Sequence, residues 1–300
     1  MSTDLDAVRM ELFKIKCRDY EIRDEFALKL RALDGFEIFV VCDDSGSMNT
    51  PVTTPGADPY GKLETRWDEL KRTVSKIVEI ASIVNTAGIH VFFLNRPGLM
   101  NVTYKGMLDQ PFNLKATGST PMVPVLKSIF QQKSEKRRLV IVATDGCPDD
   151  VGGICGVNCL RDVLQYQRAP TDYVTILACT DDVGVMKYLN GWDVELERLD
   201  VVDDYRSERQ QIQAVQGPDF QFSFGDYIVK CMLGAIDPDL DNLDEVPCRP
   251  TKSISASSLN LASISSSTRT RKSGRISRPK SMKNSEAHPE RDGPRKCCIV

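Results

Sequence analysis

Phe36-Glu37-Ile38-Phe39-Val40-Val41-Cys42-Asp43-Asp44-Ser45-Gly46-Ser47 is the stretch that decides how this chain of 300 residues folds. Its first seven residues form a nearly unbroken apolar run, rich in aromatic and β-branched side chains. Such a run predicts a strand buried on both faces, the kind found in a parallel sheet. The run stops at a carboxylate, and hydroxyls and a glycine follow at once. Asp34-Gly35 punctuates its other end.

Working outward, residues 4–33 predict helix, with Leu5, Val8, Leu12 and Ile15 and then Ile22, Phe26, Leu30 and Leu33 recurring at helical spacing. After a polar loop from Asn49 to Glu64, a long amphipathic helix carries Trp67, Leu70, Val74, Ile77, Val78, Ala81 and Val84 on one face, which makes Trp67 a core residue. Thr65 and Asp68 predict a capping box at its start. His90–Leu94, Leu139–Ala143 and Tyr173–Cys179 are further strand-like runs, and His90 is expected to be structural. Helix-like segments span Pro121–Gln131 and Cys159–Gln167, and Val102–Tyr104 is expected as an antiparallel edge strand. A last strand falls near Val194–Val202 and a closing helix near Ile228–Ile236. Strands alternating with helices predict an α/β fold, a doubly wound, mainly parallel central sheet flanked by helices. The expected organisation is a helical extension over 1–33, a domain over 34–246 and a disordered tail over 247–300.

Composition narrows the function. The total of 39 basic and 42 acidic residues conceals a tail from Pro247 to Val300 with twelve Lys and Arg against three acids. The body is therefore acidic and is not expected to bind nucleic acid, which needs a basic face. The tail is expected to meet something anionic. Two histidines exclude a multi-histidine metal site. No apolar run is long enough to span a bilayer, and the charged first 30 residues hold no signal-peptide core. A disulfide framework is therefore not expected. Cys147, Cys155 and Cys159 lack the CxxC pair and nearby His usual for zinc.

The candidate site lies where strands end. Ligands of doubly wound sheets bind at the carboxyl ends of strands. Asp43, Ser45 and Ser47 follow the first strand, Asp145 follows Leu139–Ala143, and Thr117-Gly118-Ser119-Thr120-Pro121 turns into a helix and presents Thr120. These are hard oxygen donors of the kind Mg²⁺ prefers, octahedral at about 2.0–2.1 Å. Helix capping would account for Asp43 or Asp145 singly, but not for the serines and Thr120 as well. Asp44, Asp149 and Asp150 are expected to be solvated or capping acids of these loops.

The three motifs in this order resemble a von Willebrand factor A domain with a complete metal-ion-dependent adhesion site, over roughly residues 34–236. The resemblance implies a Rossmann-like sheet with Mg²⁺ or Mn²⁺ at its top. In that family Ser45 and Ser47 would bind the ion directly, Thr120 in the ligand-ready state, and Asp43 and Asp145 mostly through water. A protein partner would supply a Glu or Asp to complete the shell. The loop between Asn49 and Glu64 is an insertion relative to that pattern.

The last four residues, Cys297-Cys298-Ile299-Val300, are similar to a prenylation box with Cys297 as acceptor and a basic approach. One lipid binds membranes only marginally, and the basic tail supplies the second signal. Ser273 and Ser277, between arginines and a lysine, fit a kinase target whose phosphates would weaken that attraction. The expected protein is thus a non-catalytic Mg²⁺-dependent scaffold on the cytoplasmic face of a membrane. The alternatives are a partner subunit for a separate ATPase and a metal-dependent hydrolase. The hydrolase lacks an evident general base.

Overall fold

A computed structural model describes residues 2–52, 63–149, 156–180, 187–189 and 191–247. The chain divides into two units, Met1–Arg249 and Pro250–Val300, and only the first falls within that range. The expected tail disorder, Cys297, Ser273 and Ser277 therefore lie outside the described residues, as does the middle of the Asn49–Glu64 loop.

The chain is an α/β protein. Among the described residues its six strands are β1 (Phe36–Cys42), β2 (Ile89–Phe93), β3 (Leu99–Val102), β4 (Arg137–Thr144), β5 (Asp172–Ala178) and β6 (Leu199–Val202). They form one sheet in the order β3-β2-β1-β4-β5-β6. All neighbours are parallel except β2 and β3. The chain winds outward from β1 to one edge and from β4 to the other. The order reverses between β1 and β4, which pair from Phe36↔Arg137 to Cys42↔Ala143. At such a reversal the connections leave in opposite directions and open a crevice.

Among the described residues the α-helices are α1 (Ser2–Asp19), α2 (Asp24–Lys29), α3 (Arg66–Val84), α4 (Asp109–Asn113), α5 (Met122–Phe130), α6 (Gly156–Asp162), α7 (Trp192–Glu195), α8 (Tyr205–Gln216), α9 (Phe224–Leu233) and α10 (Pro238–Asp241). They cover both faces. Ile38, Val40 and Cys42 of β1 share a core with Val74 and Ile77 of α3 and with α9. Phe39 and Val41, pointing the other way, share one with Leu126 and Ile129 of α5, Leu160 of α6 and Trp192. Alternate residues feeding two cores is why β1 is apolar throughout. Helix α3 starts at the expected capping box of Thr65 and Asp68, and Trp67 is buried.

The segment before β1 is an extension in sequence but not in packing. Ile22, Phe26, Leu30 and Leu33 lie in the same core as β1 and α3. Gly225 of α9 admits the Tyr20 carbonyl so closely that a Cβ would stand 2.0 Å from it. The expected strand at Val194–Val202 begins only at Leu199, because Trp192–Glu195 forms a turn of helix that buries Trp192. The edge strand is Leu99–Val102, a few residues earlier than expected. Cys159 is in a disulfide, whereas Cys17, Cys42, Cys179 and Cys231 carry free thiols.

A charge cluster is buried where β6, α8, α9 and α10 meet. Lys230 of α9 is 1% exposed. Its Nζ donates to the carbonyls of Leu240 and Asp241 at 3.0 and 3.1 Å and to Asp244 Oδ1 at 3.0 Å. Glu208 Oε1 of α8 stands 3.2 Å away. Asp200 of β6 reaches the cluster over Gly234, where a Cβ would stand 1.6 Å from Asp200 Oδ2. Burial pushes Glu208 up to about 7, Lys230 countering only part of it. Burial also opposes the Lys230 charge, but Glu208, Asp200 and Asp244 outweigh it and hold the ammonium above its ordinary value.

This arrangement makes stability depend on pH. A Glu208 raised from 4.5 to about 7 keeps, in the folded state, a proton that the unfolded chain releases. Its contribution is present at low pH and is lost as pH rises through about 7. Burial shifts Asp200, Asp203 and Asp241 in the same direction. The Lys230 contribution is full below 10.5 and so does not change over this window. Chemical denaturation is expected to show stability falling from about pH 4.5 to about pH 7, with Glu208 contributing on the order of 3 kcal/mol. Glu208→Gln should flatten that dependence. An unchanged slope would remove Glu208 as its source.

Candidate functional site

The crevice between β1 and β4 is where the oxygen-bearing loops meet. The Asp43 N–H donates to the Ala143 carbonyl at 2.9 Å, extending the β1–β4 ladder by one residue, so Asp43 and Asp145 emerge side by side. Asp43 is fully buried. Its Oδ1 accepts the Ser45 N–H at 2.9 Å and its Oδ2 accepts the Thr144 hydroxyl at 2.6 Å. Ser45 Oγ and Ser47 Oγ are 3.0 Å apart. Ser47 donates in turn to Asp145 Oδ1 at 2.7 Å. Asp43, Ser45, Ser47 and Asp145 thus form one continuous chain of polar contacts.

Thr120 is brought to the same edge through its backbone. The Gly46 N–H donates to the Gly118 carbonyl at 3.1 Å, and the Thr117 N–H to the Asp44 carbonyl at 2.7 Å. These contacts stitch the Ser45–Ser47 loop to the Thr117–Pro121 turn. Gly118 has a φ of +112° and lies so close to Asn95 that a Cβ would stand 2.4 Å from its Oδ1. Asp149 accepts the Thr120 N–H from 29 residues away, which ties its loop to the Thr117–Pro121 turn and is not a helix cap. Asp150 lies outside the described residues.

Asp44 differs from expectation, since it is fully buried and not solvated. Its Oδ1 accepts the Asn95 N–H at 2.8 Å and the Asn95 amide at 3.1 Å, and its Oδ2 accepts Arg96 Nε at 2.6 Å. Asp44 therefore fastens the β1 loop to the segment after β2 and faces away from the serines. Its partners come from tertiary structure, which spacing within the loop does not reveal. His90, expected to be structural, accepts the Asn101 N–H on Nδ1 and packs on Phe39.

Sequence reasoning missed Arg66, the first residue of α3. Its guanidinium donates to Asp145 Oδ2 at 2.8 Å and to the Thr180 hydroxyl at 2.6 Å. The Asp145 side chain is fully buried and that of Arg66 is 16% exposed. Nothing in the local sequence signals this, because the partners lie 79 and 114 residues away. Burial pushes the Asp43 carboxyl up to about 6; the Ser45 and Thr144 hydrogen bonds counter it, and the Asp145 charge adds to it.

The donor set fits a hard divalent ion. An octahedron with metal–oxygen distances of about 2.1 Å has edges of about 3.0 Å. The Ser45–Ser47 and Ser47–Asp145 separations of 3.0 and 2.7 Å are close to that edge. Among the described residues no three His, Cys, Asp or Glu side chains gather as a metal cage. Any ion here would therefore rest on hydroxyls with two carboxylates. Ser45, Ser47 and Asp145 would hold it, with Asp43 and Thr120 beside them.

No family model and no curated protein matches the chain. Among solved structures it is similar to a mutant of the PilB minor pilin from Streptococcus sanguinis, at 11% identity and a TM-score of 0.43. The match covers 60% of this chain and 62% of that one, so the chain spans about three fifths of that structure's length.

Proposed function

We propose that this chain is a von Willebrand factor A-type, Mg²⁺-dependent protein-binding module without catalytic activity. The observation that carries the proposal is the polar chain Asp43–Ser45–Ser47–Asp145 at the sheet's reversal point. A bound Mg²⁺, or Mn²⁺, would offer an open coordination position to a carboxylate. The protein's own groups do the rest. Asp43 fixes the Ser45 backbone, Ser47 is aligned on Asp145, and Thr144 holds Asp43 in place. Neutral serines leave an ion short of electrons, which favours a Glu or Asp from a partner protein. Among the described residues no helix is long and apolar enough to cross a membrane. We place the protein at the cytoplasmic face of an anionic membrane, held by the basic tail and a prenyl group on Cys297, with phosphorylation of Ser273 and Ser277 weakening the hold.

The test is an affinity capture with the full chain in Mg²⁺ and then in EDTA. A partner retained only in Mg²⁺, and lost with Asp43→Ala and with Asp145→Ala, is the expected result. Capture indifferent to chelation and to both substitutions would sink the reading. In the same preparations, Cys297→Ser should move the protein out of the membrane fraction. Equal partitioning of the two forms would remove the lipid anchor.

A further inference from the structure

We propose that Arg66 is a built-in counter-cation that sets the charge of the candidate metal site and weakens its hold on a divalent ion. The inference rests on the metal-binding reading above and adds a residue which that reading does not use.

The placement of Arg66 is not explained by its own helix. It is the first residue of α3, directly after the capping Thr65. A cation there is opposed by the helix dipole, which favours acids such as Asp68 and Glu69 in the first turn. The residue is nonetheless held firmly. Its N–H donates to the Thr50 carbonyl at 3.1 Å, beside the Pro51↔Thr65 bridge that closes the base of the inserted loop. Its side chain crosses to Asp145 Oδ2 and Thr180, leaving Asp145 Oδ1 to Ser47. The carboxylate is thereby turned with one oxygen toward the serines and the other neutralised.

The electrostatic consequence follows directly. The carboxylates of Asp43 and Asp145 with the Arg66 guanidinium leave one negative charge at the site where the acids alone would leave two. A divalent ion beside Asp145 is repelled by a fixed cation within the same buried group, where charges interact more strongly than in water. Arg66 also borders a small pocket of about 20 Å³, lined in part by Leu70 and Cys179. A shorter side chain there meets no clash.

The experiment is calorimetric titration of the full chain with Mg²⁺ alone, for the native protein, Arg66→Gln, Arg66→Lys and Asp145→Asn. Arg66→Gln keeps an amide donor but removes the charge. It is expected to bind Mg²⁺ at least about tenfold more tightly, and its thermal midpoint should rise more on adding Mg²⁺. Arg66→Lys, which keeps the charge, should return to the native affinity. Equal affinity for the native protein and Arg66→Gln, with Asp145→Asn still weakening binding, would overturn the proposal and leave the metal site standing. The same tightening in Arg66→Lys as in Arg66→Gln would also overturn it, because shape and not charge would then be the cause. No Mg²⁺ binding by any form would end the metal reading and this inference together. Thermal unfolding in EDTA establishes that each variant is folded.

Discussion

Replacing Lys230 by methionine is expected to cost the protein about 3–5 kcal/mol, the usual penalty for removing one partner of a buried ion pair. Methionine preserves the volume and the unbranched shape of the lysine stem, so packing is nearly unchanged. What disappears is the ammonium facing Glu208 and Asp244 and the donor to the carbonyls of Leu240 and Asp241. Urea denaturation measures the loss. Adding Glu208→Gln to Lys230→Met should recover part of it, because one of the stranded carboxylates is then neutral. A Lys230→Met protein as stable as the native chain would mean that the carboxylates take up protons without cost and that the lysine is incidental.

The second large effect separates two neighbours in the sequence. Asp44→Ala is expected to destabilise the fold by about 3–5 kcal/mol, since it strands the Arg96 charge. It also leaves the Asn95 N–H without its acceptor. Asp43→Asn should do the opposite in EDTA near pH 7.5. The Asp43 carboxyl lies up at about 6, so its ionised form at neutral pH opposes folding. That contribution is favourable at low pH and lost as pH rises through about 6. Asp43→Asn removes the charge while keeping an acceptor for Ser45 or Thr144. Thermal midpoints of the two variants, taken side by side, are expected to move in opposite directions. Only Asp43→Asn should combine a sound fold with lost Mg²⁺ dependence. Parallel shifts would show that Asp43 serves the fold as Asp44 does.

The strands and the carboxylate-bearing loops were legible because each carried a local signal. The apolar run of Phe36–Cys42 and its abrupt polar end placed both β1 and Asp43. The Thr65 and Asp68 pair marked the start of α3 to the residue. Helix α8 escaped, and the reason is chemical. Its buried positions are Glu208 and Ile212. A glutamate at a core position erases the apolar periodicity, and its charged partner Lys230 lies 22 residues on. Arg66 was hidden for the same kind of reason. In sequence it is a charged residue at a helix start, and its partners Asp145 and Thr180 are adjacent to it only because β4 and β5 end beside α3. Local signals report elements and the loops attached to them. Pairing between charges from distant elements appears only once the chain is folded.

The last turns before the tail have a mechanical consequence. Gln216 donates to the carbonyls of Leu243 and Val246, and Lys230 grips those of Leu240 and Asp241. Lys29 adds a grip on Asp237. A pull on the chain beyond Val246 therefore peels a short zipper, first at Gln216 and then at the lysines. The load enters through α8, α9 and α2, and not through the loops bearing Asp43 and Asp145. A protein strained at its C-terminal end would keep its polar crevice in shape until that zipper opened.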